Sequence, residues 1–217
     1  CELTSMSLLL FPREFYEDSR LSENVRHLDL SGNRIPTISN EIDKMTALET
    51  LRLDNNLLVS VPGELFSCTN LIELNLEHNG LTELPNGVGN CTRLTYLHMS
   101  YNRLASLPEE IAGLTGLVKL ALGDNELTLG TAWWLGCLTN LQSLLLQNNK
   151  IMAIPVAVGM LTNLDELRID GNDLKDPPIN VIAGGIKAIR DYLGYNVRYE
   201  TDRAGLAPPR NRRRIPT

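Results

Sequence analysis

An asparagine recurs through the chain at an almost constant interval, and this period constrains the fold more than any other feature. Successive asparagines are separated by 23, 23, 23, 23, 24 and 23 residues. Apolar residues stand eight, five and three positions before each asparagine and two positions after it, in every case. Such repetition indicates a stacked array of similar units, which we number one to seven by their asparagines. These are Asn33, Asn56, Asn79, Asn102, Asn125, Asn149 and Asn172.

Within each unit, the residues before the asparagine alternate between apolar and polar. This alternation predicts a short strand whose inward side chains stand five and three positions before the asparagine. The rest of the unit carries further aliphatic residues, such as Leu107 and Ile111, which are predicted to form the opposite wall. One unit cannot bury its apolar edge alone, so the stability of each must come from its neighbours. The asparagine amides, with donors and an acceptor, are predicted to form a ladder that satisfies backbone groups where the strands end.

The frame L-x-x-L-x-L-x-x-N-x-L-x-x-L-P-x-x-I-x-x-L-x-x-L resembles the leucine-rich-repeat family over about residues 1–185. The resemblance implies an α/β solenoid with a curved parallel sheet on the concave face and irregular or short helical segments on the convex side. Leu-Pro pairs such as Leu84-Pro85 are similar to those of intracellular members, including plant Ras-group proteins and Roco GTPases. The family pattern is specific for fold and much less specific for function.

The solenoid is predicted to occupy residues 1–176, with about eight repeats of which the first is partial. Pro12 aligns with Pro85, so residues 1–24 read as the second half of an N-terminal repeat. The natural protein is therefore expected to extend upstream. Residues 177–194 have apolar residues at helical spacing and are predicted to form a C-terminal capping helix.

Residues 195–217 are predicted to form a basic Arg/Pro-rich tail. From residue 194 onward, six arginines face only Glu200 and Asp202, giving a net charge of +4, while the remainder of the chain carries −10. Such a segment could contact an acidic protein surface, RNA or anionic lipid, or act as a localisation signal. Nucleic acid is expected only at this tail, because phosphates would meet like charge on the acidic body. The candidate tail contacts are Arg210, Arg212, Arg213 and Arg214.

Outward strand positions of consecutive repeats are predicted to stand side by side on the concave face, since neighbouring strands lie about 4.8 Å apart. Tyrosines and histidines cluster there in repeats three and four, and aromatic residues with a polar tip make good interface anchors. The alternative is a solvated sheet without a partner. The candidate protein-binding residues are Arg52, Glu73, Asn75, His78, Tyr96, His98, Tyr101 and Lys119.

Repeat five departs from the pattern. It has one extra residue, lacks the Leu-Pro pair, and contains both tryptophans, Trp133 and Trp134. We expect one tryptophan to fill the core position held by Ile111 and Val158 in the neighbouring repeats. The other would then form a possible second contact with a partner, or pack locally around the insertion.

The catalytic motifs of common enzyme classes are missing from the sequence. It contains no phosphate-binding loop, H-E-x-x-H pair, G-x-S-x-G turn or C-x-x-C pair. The chain is therefore predicted not to be an enzyme, and to need no cofactor, metal or small-molecule substrate. Cys68 and Cys91 take positions held by leucine elsewhere, which favours buried thiols over a disulfide. Unpaired thiols in turn favour a cytoplasmic location. No apolar run reaches the length of about 20 residues that a membrane span requires.

The predicted function is non-catalytic protein–protein interaction, as a scaffold or structural subunit of a multi-subunit assembly. The alternative, suggested by the resemblance alone, is a recognition or regulatory domain acting on a Ras-like or Roco GTPase or a kinase in signalling. A secreted receptor would require glycosylation at a site such as Asn90-Cys91-Thr92.

Overall fold

Short parallel strands form a single sheet whose order follows the chain. The computed structural model describes the backbone of residues 1–130 and 132–203. In every pair the register joins equivalent repeat positions, as where Leu74 lies opposite Leu97. The strands are β1 (His27–Asp29), β2 (Thr50–Arg52), β3 (Glu73–Asn75), β4 (Tyr96–His98), β5 (Lys119–Ala121), β6 (Ser143–Leu145) and β7 (Glu166–Arg168).

The chain returns from each of the first six strands to the next through a five-residue 3-10 helix on the other side of the core. Proline precedes four of these helices, and its fixed φ holds the chain extended before the turn begins. The third residue of each helix is aliphatic and fully buried. The helices are Asn40–Lys44, Gly63–Ser67, Asn86–Asn90, Glu109–Gly113, Trp133–Cys137 and Val156–Met160.

The core lies between the sheet and these helices as a continuous layer along the array. In repeats one to six, the strand residues five and three positions before the asparagine are at most 2% exposed. The sequence frame and the structure therefore agree on a leucine-rich-repeat solenoid.

Each asparagine amide joins its own repeat to the preceding one. Asn102 Nδ2 donates to the Met99 carbonyl of its own repeat at 3.1 Å and to the Leu76 carbonyl of the repeat before at 2.9 Å. Its Oδ1 accepts from the Leu81 amide of that preceding repeat at 3.0 Å. The other six asparagines make equivalent bonds, for example between Ile35 N and Asn56 Oδ1. One side chain per repeat thus satisfies polar backbone atoms that packing has removed from water.

A second set of amide bonds runs along the opposite side of the array. Asn140 Nδ2 donates to the Thr115 carbonyl at 2.8 Å, and equivalent asparagines donate to threonine carbonyls in two other repeats. At the C-terminal end, Arg190 Nη1 donates to the Thr162 carbonyl at 2.8 Å. Arg190 therefore occupies the hydrogen-bonding place of the asparagine that a further repeat would supply.

The N-terminal segment pairs in parallel with β1. The Leu3 amide donates to the Asp29 carbonyl at 2.8 Å, the bond that corresponding residues make in later repeats. Met6 stands where the asparagine would be, 27 residues before Asn33. The longer spacing is taken up by two short helices, α1 (Glu14–Glu17) and α2 (Ser19–Ser22), in place of a 3-10 helix.

Two helices follow the last repeat, α3 (Ile179–Ala183) and α4 (Gly185–Arg203). Gly185 has a φ of +74° and separates them, so the glycine pair marks a break. Ile189 and Leu193 of α4 are buried against the last 3-10 helix. Helix α4 continues beyond residue 194, whereas the division into solenoid, cap and tail stays a prediction. The four arginines predicted to form tail contacts lie outside the described residues.

Replacing Asn102 with alanine is expected to lower the free energy of unfolding by about 2–3 kcal/mol, because buried backbone groups of two repeats lose their partners. Urea denaturation followed by circular dichroism measures this. Asn140→Ala is the matched control: it makes the same chemical change where the side chain is exposed, and should cost less than about 1 kcal/mol. Equal losses in the two variants would contradict the assigned role of the ladder.

The buried thiols of Cys68 and Cys91 are expected to resist alkylation. Burial raises the pKa of Cys68 to about 12 and that of Cys91 to about 11, so both remain protonated at pH 8. Since the thiolate is the nucleophile, iodoacetamide should modify them about a hundredfold more slowly than exposed Cys1. Peptide mass spectrometry of timed samples tests this, with urea-unfolded chain as control. A disulfide between Cys68 and Cys91 would refute it.

Candidate protein-binding face

The exposed side of the parallel sheet, here called the sheet face, presents the outward residues of all seven strands. Tyr96 of β4 is 40% exposed, and Tyr101, just beyond that strand, is 49% exposed. The register places Tyr96 beside Glu73 on one side and Lys119 on the other. These predicted residues therefore lie on adjacent strands of one surface.

The residue before each ladder asparagine adopts the left-handed conformation, with φ between +52° and +70°. The bend it makes brings the asparagine inward. Glycine, asparagine, aspartate and histidine tolerate this conformation comparatively well, and they hold six of the seven places. Tyr101 is the exception at φ +57°. A bulky residue here costs about 1–2 kcal/mol, so Tyr101 is held against its backbone preference. The seven residues are Gly32, Asn55, His78, Tyr101, Asp124, Asn148 and Gly171.

His78 and Tyr101 stack on one another across adjacent repeats. Their ring centroids lie 4.1 Å apart, and the ring planes differ by 8°. Both residues are exposed, so the stack forms a flat aromatic surface at the edge of the sheet face. Preorganised aromatic area of this kind loses little conformational entropy on binding.

His98, the last residue of β4, lies on the same face and is half-buried. Burial lowers the pKa of His98, while the nearby Glu77 carboxylate opposes that shift. His98 Nδ1 and Glu77 Oε1 are 3.9 Å apart, a long contact for an ion pair. Because burial dominates, His98 is neutral at pH 7 and offers the face a polar ring.

Toward the N-terminal end, the predicted residues form a charged and hydrogen-bonded border. Arg52 Nη2 and Glu73 Oε1 form an ion pair at 2.9 Å between β2 and β3. Asn75 Oδ1 accepts a hydrogen bond from the Glu77 amide at 3.0 Å, which fixes the turn after β3. Arg52 and Glu73 contact one another, so their charges are largely matched within the face.

The structure corrects the prediction for repeat five. The extra residue shifts the register, so that Leu135, not a tryptophan, fills the core position of Ile111 and Val158. Trp134 packs beside it and is 5% exposed, which leaves no surface for a partner. Trp133 is 56% exposed and borders a shallow groove of about 300 Å³. Only Trp133 therefore remains available as a second contact.

Across residues 1–130 and 132–194, no group of three or more histidine, cysteine, aspartate or glutamate side chains could hold a metal ion. Within these ranges, no helix combines the length and apolar character needed to cross a bilayer.

Comparison with family models identifies the repeats. A model described as leucine rich repeat matches residues 46–104 and 69–127, and one for two copies of the repeat matches residues 23–67. Together with the parallel array, these matches show that the chain is a leucine-rich-repeat protein. Comparison with curated protein sequences gives no match.

Solved structures with the same fold come from bacteria and plants. A Leptospira interrogans leucine-rich-repeat protein aligns with 29% identity and a TM-score of 0.73, over 81% of this chain and 44% of that one. The ectodomain of the Arabidopsis thaliana receptor kinase GASSHO1/SCHENGEN3 was solved in complex with CASPARIAN STRIP INTEGRITY FACTOR 2. It aligns with 28% identity and a TM-score of 0.66, over 76% of this chain and 20% of that one. An internalin from Listeria monocytogenes aligns with 27% identity and a TM-score of 0.64, over 73% of this chain and 45% of that one. The chain thus spans less than half the length of each.

Leucine-rich-repeat domains generally mediate protein–protein interaction, and the fold is typically non-catalytic. The narrower resemblance to Ras-group and Roco proteins remains a prediction.

Relief of the backbone strain at Tyr101 is expected to stabilise the fold. In a His78→Asn background, where the stack is already lost, Tyr101→Asn should raise the free energy of unfolding by about 1 kcal/mol, because asparagine tolerates the left-handed conformation. Urea denaturation of the single and double variants measures the difference. Tyr96→Asn in the same background is the control and should destabilise, since asparagine is disfavoured in strands. A lower free energy of unfolding with Tyr101→Asn would contradict the claim that the left-handed conformation of Tyr101 is strained.

Proposed function

We propose that the chain is a non-catalytic interaction module that binds a protein partner through the aromatic and histidine residues of the sheet face. The observation that carries this proposal is Tyr101, an exposed ring held in an unfavourable backbone conformation and stacked on His78. Glycine or asparagine would make the same turn with less strain, and a strained residue in place of one that fits is a common mark of a functional position.

The surroundings of the stack support a protein partner over a small molecule. Tyr96, His98 and Tyr101 spread along one repeat, and Lys119 and Glu73 flank them on neighbouring strands. The arrangement gives an aromatic centre with a charged border, which is typical of protein interfaces. Arg52 and Asn75 extend that border toward repeat two.

The finer role that we propose is that of a scaffold or structural subunit in a multi-subunit assembly in the cytoplasm. Buried, reduced Cys68 and Cys91 fit a reducing compartment. Trp133 supplies a possible second contact on the other side of the array, and the basic tail a third, so the chain could bridge several neighbours.

Replacing Tyr96, His98 and Tyr101 with alanine together should weaken binding of the partner at least about tenfold, because two aromatic anchors are lost. The partner is first identified by affinity purification with crosslinking, and its affinity for each purified variant is then measured by calorimetry.

The control replaces Glu166, Arg168 and Asp170 of repeat seven with alanine; Glu166 and Arg168 are equivalent to Tyr96 and His98, and Asp170 lies just beyond the strand. Its affinity should stay within about threefold of the unaltered chain, and circular dichroism should show both variants folded. Unchanged binding by the Tyr96, His98 and Tyr101 variant would refute the proposal.

A further inference from the structure

The sheet face has a recess next to the aromatic stack. Outward positions in repeats four and five carry small residues, of which Ser100, Ala121 and Gly123 are buried. The Gln147 side chain lies over Gly123, where any added Cβ would overlap its amide. The Gln147 amide therefore covers this recess beside Tyr101.

Two acceptor atoms at this recess lack a hydrogen-bond partner. They are Asp124 Oδ2 and Gln147 Oε1, both shielded from solvent, and no described residue donates to either. The other carboxylate oxygen, Asp124 Oδ1, accepts from Asn148 Nδ2 at 2.8 Å. Shielded acceptors are costly when unpaired, and both of these would be satisfied by a group that only donates and that displaces the Gln147 amide from its place over Gly123.

The aromatic stack has one ring face already covered. His78 covers the face of Tyr101 toward repeat three, and Asp124 holds the same position in repeat five. The stack runs along the array, so the other face of Tyr101 is turned toward Asp124. Neighbouring strands are about 4.8 Å apart, which brings ring and carboxylate within reach of one cation.

We propose that this recess binds a guanidinium group, so that the protein partner of the sheet face inserts an arginine side chain between Tyr101, Asp124 and Gln147. The inference rests on the proposed function and names the chemistry of the partner. Guanidinium is planar, stacks on aromatic rings and carries five donors in a fixed fork, enough for acceptors on two strands. Ammonium is a point charge that matches this geometry less well. An anion would meet Asp124 and Glu77.

The test titrates isotopically labelled chain with N-acetyl-arginine methylamide, its lysine analogue and its uncharged citrulline analogue, followed by NMR. The arginine probe should shift the amide signals of Gly123 and Asp124 and the side-chain amide of Gln147 in a saturable manner. It should bind about tenfold more tightly than the citrulline probe and about threefold more tightly than the lysine probe. Equal binding of arginine and citrulline probes, or shifts centred elsewhere, overturns the assignment.

Asp124→Asn should weaken the arginine probe about tenfold by removing the charge. Asp170→Asn, which makes the same change at the far end of the face, should alter binding less than about twofold. Tyr101→Asn keeps a residue suited to the left-handed backbone and removes only the ring, and should cost about threefold. Equal effects of the Asp124 and Asp170 substitutions would overturn the proposal.

The purified partner separates this inference from the proposed function. A partner that requires Tyr96, His98 and Tyr101 but binds the Asp124→Asn and Asp170→Asn variants equally would leave the proposed function intact and overturn the arginine contact. A partner that tolerates loss of the three residues, while the arginine probe still binds at Asp124, would overturn the proposed function and leave the guanidinium site standing.

Discussion

The hydrogen bonds of the ladder asparagines are the constraint on which the rest of the fold depends. Each amide donates to carbonyls in two repeats and accepts from the backbone of the preceding one, as at Asn102. To place the amide inward, the residue before it must turn into the left-handed conformation. One interior requirement therefore determines the backbone at the edge of the sheet face, where Tyr101 and Asp124 lie. The same turn therefore determines both the hydrogen bonding of the interior and the geometry of the surface.

The strands, the core and their register could be predicted because the apolar frame repeats without exception. The residues before the asparagines also carry a readable signal, since glycine, asparagine and aspartate are enriched where φ is positive. The position of the tryptophans could not be predicted in the same way. A single inserted residue moves the frame by one place, and periodicity does not say whether Leu135 or Trp134 follows the shift.

The contacts that define the candidate site lie beyond what a linear pattern records. Stacking of His78 on Tyr101 depends on the rotamers of two side chains that are 23 residues apart, and the recess depends on where Gln147 lies. The repeat frame puts the tyrosines and histidines on one face, but it does not single out Asp124 or Gln147. Their unpaired acceptors emerge only when burial and hydrogen bonding are considered together. The character of the face thus arises from pairs of repeats, not from any one unit.

Arg190 donates to the Thr162 carbonyl, where another asparagine would otherwise continue the series, so this contact depends on the backbone and not on the side chains of the last repeat. Gain or loss of whole repeats before this helix would therefore leave an equivalent carbonyl in place for Arg190. The length of the sheet face can in this way vary while the Arg190 contact is kept.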